Sequence, residues 1–106
     1  MVNCGSWSDV LCELNKTPGG RTVLKISTAW CGPCRTLQKI LEGIEGTVDN
    51  VKFICVDADE VDDDFILEKF NVKGVPALIV LDENGETISQ TVGLQTKEEI
   101  LERLKS

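Results

Sequence analysis

Along the chain, stretches in which apolar residues recur every three to four positions alternate with short runs in which they stand side by side. Trp7, Val10, Leu11 and Leu14 follow the helical period. Ser6-Trp7-Ser8-Asp9 has the form of a capping box with Asp in place of Glu, so a first helix is expected over about 6–16. Thr17-Pro18-Gly19-Gly20 stops it, and residues 22–28, rich in β-branched side chains, read as a strand. Leu37, Ile40, Leu41, Ile44 and Val48 mark the apolar face of a second helix beginning around Pro33, a residue tolerated in a helix's first turn. Residues 51–57 form a strand with little polar alternation, as expected when both faces are covered. A third helix is expected over about 61–70 with Phe65, Ile66 and Phe70 inward. After a loop ending in Val75-Pro76, residues 77–81 are another buried strand. Glu83-Asn84-Gly85 carries an Asn-Gly hairpin signal, and residues 86–92 return as an antiparallel edge strand of mixed polarity. Thr96-Lys97-Glu98-Glu99 is a capping box for a last helix with Ile100, Leu101 and Leu104 on its core side.

The order α-β-α-β-α-β-β-α places the protein in the α/β class. Strands joined by helices run parallel and the Asn-Gly turn reverses the last one, so the expected architecture is a central mixed sheet of four to five strands flanked by four helices. At 106 residues the chain is expected to be one domain, 1–106, with a single core large enough to need no metal or disulfide staples.

Charge narrows the possible partners. The net charge of −7 argues against nucleic acid and anionic lipid, and no apolar run approaches the ~20 residues of a membrane span. The first residues show no basic segment followed by an apolar stretch, so a cytoplasmic location is expected, with the five cysteines mostly reduced. Acidic residues concentrate in Asp57, Asp59, Glu60, Asp62, Asp63 and Asp64. Their spacing is not that of a calcium loop, and they read as a solvated strand-to-helix connection that complements the next helix's N-terminus.

The chemistry centres on Ala29-Trp30-Cys31-Gly32-Pro33-Cys34, between a strand and a helix. Two thiols separated by two residues can close a small disulfide ring. A helix starting at the first aims unpaired N–H groups and a positive dipole end at its sulfur, which favours the thiolate. Cys31 is therefore the candidate nucleophile and Cys34, one turn inside, the resolving thiol. A structural zinc site needs about four ligands; this chain has no histidine, and Cys4, Cys12 and Cys55 are scattered singly, so no metal is expected. Cys12 falls on the polar face of the first helix as an exposed thiol, Cys55 reads as inert packing in a buried strand, and Cys4 carries no assigned role.

Trp30-Cys31-Gly32-Pro33-Cys34 followed by Arg35 resembles the active site of the thioredoxin family. Val75-Pro76 is similar to the family's cis-proline segment, and Asn84-Gly85-Glu86 with Gly93 to its terminal hairpin and groove. The resemblance covers nearly the whole chain, with any opening strand very short. It implies the thioredoxin fold, no bound cofactor, and a monomer that reduces disulfide-containing client proteins and is recharged by a thioredoxin-reductase-like donor. By that resemblance Trp30, Gly32 and Pro33 shape the surface around Cys31. Val75 and cis Pro76 lie against the disulfide, the Val75 backbone pairs with an extended client segment, and Gly93 leaves room for that segment. A relay dedicated to one client, or a thioredoxin-fold interaction subunit, are the alternative functions. The chain departs from the family at Lys25, where thioredoxins usually carry a buried aspartate, so no residue inherits its proton-relay role. An ammonium in a central strand must be neutral, paired or reaching water. Lys25 is expected either to extend to a rim or to acidic residues near Asp57, or to lie beneath the dithiol as a site modulator.

Overall fold

The computed structural model describes residues 1–16, 19–59 and 65–104. In chain order the elements are β1 (Val2–Asn3), α1 (Trp7–Asn15), β2 (Arg21–Ser27), α2 (Gly32–Glu45), β3 (Val51–Asp57), α3 (Phe65–Lys69), β4 (Ala77–Leu81), β5 (Thr87–Val92) and α4 (Lys97–Leu104). The strands form one sheet in the order β1-β3-β2-β4-β5. β1, β3 and β2 run parallel; β4 lies antiparallel to β2, and β5 antiparallel to β4 at the edge, as the Asn-Gly turn requires. The opening strand has two residues, matching the expectation that it would be very short.

The capping box at α4 closes reciprocally, and the one at α1 only in part. Ser6 Oγ accepts the Asp9 N–H at 3.3 Å, while the Asp9 carboxylate, one methylene shorter than Glu, takes the N–H of Gly5 instead of the cap residue's own. At α4 the exchange is reciprocal between Thr96 and Glu99, at 3.2 Å each way.

Strand alternation divides the core between the two faces of the sheet. On one face Leu24, Ile26, Ile54, Val56, Ala77, Ile79 and Leu81 pack with Val10 and Leu14 of α1, Ile66 of α3, and Phe70. On the other Val23, Phe53, Leu78 and Val80 meet Leu37, Leu41 and Ile44 of α2 and Ile100 of α4. All five residues of β4 are buried, which accounts for its unbroken apolar run. Fully burying each such side chain contributes roughly 1.5–3 kcal/mol.

Several expectations change. β4 follows a helix yet runs antiparallel to β2 and not parallel, because the chain re-enters the sheet with Ala77 beside Ile26, at the end where β2 and β3 stop, and β5 after the Asn-Gly turn is then parallel to β2. Phe65 is 49% exposed: Ile66 and Phe70, four apart, share the inward face, and the residue just before Ile66 is rotated about 100° away from it. Val48 lies past the end of α2, which is capped at Gly46, yet still packs on the second core. Cys4, to which the sequence assigns no role, is buried in the first core, its backbone N–H bonded to the Cys55 carbonyl at 3.0 Å. Cys55 is only half-buried and touches polar atoms of α2 and the N-terminal residue. The stop signal at Thr17-Pro18, the acidic residues Glu60 and Asp62 to Asp64, and the expected start of the third helix lie outside the described residues.

Candidate active site

β2 ends at Ser27, and four residues later Cys31 serves as N-cap of α2 with extended backbone (φ −85°, ψ 112°). Its Sγ accepts the N–H of Cys34 at 3.2 Å, a cap in which sulfur takes the place of the usual hydroxyl or carboxylate oxygen. Gly32 and Pro33 occupy the first helical positions, where a missing proline N–H costs nothing. Cys31 and Cys34 are joined as a disulfide with their Cα atoms 5.3 Å apart. Both sulfurs are buried, whereas Gly32, Pro33 and Trp30 around them are exposed, Trp30 by 72%. The Trp30 indole N–H is held by Asp59 at 3.1 Å, and the Arg35 guanidinium donates to the Ala29 carbonyl at 3.2 Å, which ties the connection to the helix.

A second segment closes on the same end of the sheet. Because Ala77 pairs with Ile26, the Val75-Pro76 dipeptide before it stands beside the end of β2, and the bond between the two is cis. Gly93, just past β5, donates its N–H to the Pro76 carbonyl at 2.8 Å with φ +101°, a conformation that suits glycine. Val92 and Leu94 on either side of Gly93 are more than half exposed, so the site carries an apolar margin that the sequence did not single out.

Lys25 does not extend to a rim, and among the described residues it meets no carboxylate. It is 6% exposed, and its Nζ donates to Gln38 Oε1 of α2. The hydrophobic sheet and α2 enclose the stem, leaving the half-buried amide as the acceptor within reach. Lys25 and Cys34 line one cavity of about 360 Å³ together with Ser27, Thr28, Ala29, Arg35, Gln38, Lys39 and Glu42. Gln38 and Thr28 were not singled out from the sequence. Gln38 had a signal, since it lies four residues after Cys34 and so shares its helix face; Thr28 had none.

The remaining thiols lie apart from the pair. Cys12 is exposed, as its helical position foretold. Burial pushes the Cys55 thiol above its ordinary value, with the Lys25 and Met1 ammonium groups acting against it and Glu45 and Glu42 adding to it. The Cys4 thiol is raised by burial, then by Asp9 and Glu13.

The family model described as thioredoxin matches residues 8–106. The chain is 33% identical to the thioredoxin of Staphylococcus saprophyticus over 84 residues, 78% of each chain, and 31% identical to that of Bacillus subtilis over 88 residues, 82% of each. Its fold superposes on the crystal structure of Fasciola hepatica thioredoxin with a TM-score of 0.87 at 22% identity, covering 99% of this chain and 97% of that one. A closable dithiol at a helix start, on this fold and with this family match, establishes that the chain belongs to the thioredoxin family and is a dithiol–disulfide oxidoreductase.

Proposed function

We propose that the chain, acting over its whole length as one domain, reduces disulfides in client proteins by two successive exchanges. The Cys31 thiolate attacks a client disulfide, forming a mixed disulfide and releasing the first client sulfur. Cys34 then attacks Cys31 Sγ; the bond to the client breaks, the client leaves as a dithiol, and the Cys31–Cys34 disulfide closes. Two electrons pass to the client, and a thioredoxin-reductase-like donor returns them. The observation that carries this reading is the Cys31 sulfur at the start of α2 with the Cys34 N–H directed at it, because that donor and the helix dipole stabilise a thiolate at the attacking atom.

Client docking follows the same end of the sheet. The exposed Trp30, Gly32 and Pro33 form one side of the approach, and Val75, Pro76 and Gly93 the other. The Val75 backbone pairs with an extended client segment, as sheet-edge recognition does, and Gly93 has nothing within 4 Å of where a side chain would stand. The protein works as a monomer in the cytosol, without a bound cofactor.

Cys34→Ser retains the attacking thiol and removes the resolving one, so it accumulates client proteins as mixed disulfides through Cys31, identified by mass spectrometry. Cys31→Ser accumulates none and loses turnover. Adducts on Cys34 in the Cys31→Ser protein would reverse the assignment.

A further inference from the structure

Lys25 is a buried cation with a neutral partner. Among the described residues no carboxylate lies within ion-pair distance of Nζ, and its hydrogen bond goes to an uncharged amide. A buried, uncompensated ammonium is costly, and the cost falls when an anion forms beside it. Among the described residues that line its cavity, only Cys34 is without charge in the oxidised protein and able to become an anion on reduction. Gln38 fixes this arrangement, because it lies one helical turn beyond Cys34 on the same face of α2 and binds the amine.

We propose that Lys25 is a positioning residue for the resolving step: its ammonium, held by Gln38 in the cavity that Cys34 also lines, favours the Cys34 thiolate by charge and does not itself accept the proton. This rests on the reading above in which Cys34 resolves the mixed disulfide. The Cys34 S–H gives its proton to water entering past the exposed Arg35, Lys39 and Glu42. The thiolate attacks Cys31 Sγ, the Cys31–client bond breaks, and the departing client thiolate takes a proton from solvent. Thr28 Oγ1, buried without a hydrogen-bond partner among the described residues, belongs to a residue that lines the same cavity and offers that water a polar contact.

The surrounding charges allow this role. On α2, Arg35 and Lys39 reinforce the cation and Glu42 opposes it from the rim. On β3, Cys55 pairs with Lys25 across the sheet, and Asp57 lies two residues further at the strand end opposite Ser27. On β4 the register partner is Leu78, which carries no charge. The Met1 amino group and Glu45 pair with each other at 2.8 Å. Lys25 also stands beside the half-buried Cys55 thiol, which its charge lowers against the effect of burial.

The test titrates Cys34 by NMR in reduced protein with labelled cysteine, and equilibrates the Cys31–Cys34 pair against a thiol redox buffer. In Lys25→Met the Cys34 midpoint rises by about one pH unit, the low end of what a nearby opposite charge produces, and the pair becomes more reducing. Lys25→Arg, which keeps the charge and cannot give up its proton, stays close to wild type. Gln38→Glu, isosteric and outside the strand, supplies the missing carboxylate and raises the midpoint in the same direction, a readout available even if the Lys25 variants do not fold. A wild-type midpoint in Lys25→Met or in Gln38→Glu overturns the proposal, as does Lys25→Arg behaving like Lys25→Met, which would make the amine the proton acceptor. Client reduction by all variants with unchanged titrations rejects only this inference, whereas wild-type protein that reduces no client rejects the reading beneath it.

Discussion

Gly93 donates its backbone N–H to the carbonyl of Pro76 at 2.8 Å, and so joins the end of the edge strand to the loop beside the dithiol. At φ +101° this residue holds a conformation that side-chain-bearing residues rarely adopt, although an added Cβ would meet nothing within 4 Å. Gly93→Ala is therefore expected to lose roughly 1–2 kcal/mol through the backbone alone, with no steric contribution. Urea unfolding measures it, and an unchanged midpoint at unchanged slope would contradict the argument. In the same variant, reduction of a protein disulfide slows more than reduction of a small one, because only an extended client chain crosses this point.

The Glu13 carboxyl is held below its ordinary value first by the hydrogen bond from Lys52, at 3.2 Å, and then by Lys16, at 3.3 Å. A depressed folded-state value means that the contribution to stability is present above the unfolded carboxyl value and is lost as pH falls through the folded one. Lys52→Ala should return the Glu13 midpoint most of the way upward in a carboxyl NMR titration, and Lys16→Ala should move it less. Equal shifts from the two variants would show that the ordering of the partners is wrong.

Cys4 gives the opposite sign. Burial raises its thiol, so the folded protein holds that proton more tightly than the unfolded chain does. The resulting stability is complete below the unfolded thiol value, about pH 8.5, and is lost as pH rises through the folded one. Wild type should thus lose stability between neutral and strongly alkaline pH, and Cys4→Ala should lose less over that range, whatever its own cost at neutral pH. Denaturant midpoints at the two pH values decide it; parallel losses would mean that Cys4 does not titrate on unfolding.

Local patterns in the chain were enough for most of the fold. Ala77–Leu81 and Val51–Asp57 are strands to the residue, because continuous apolar runs between turn signals have few other uses in a short chain. The helix around Ile66 was less legible: its inward face consists of one side chain four residues from the next, too few to orient Phe65. The two cysteines were legible from their spacing and from the helix that follows them, and the Pro76 and Gly93 segment from resemblance alone.

By itself, then, the sequence determined the elements, the reversal at the Asn-Gly turn and the dithiol, since each depends on residues within a few positions of one another: hydrophobic period, cap, turn and Cys-x-x-Cys spacing; the direction of β4 depended instead on where the chain re-enters the sheet. Only the tertiary structure decided what surrounds Lys25. Its stem could have led to a rim, to Asp57 or to the dithiol, and all three satisfy the rule that a buried ammonium needs a partner. The choice fell to Gln38, thirteen residues away, because packing α2 across β2 brings its amide over the strand and puts Lys25 and Cys34 on the wall of one cavity.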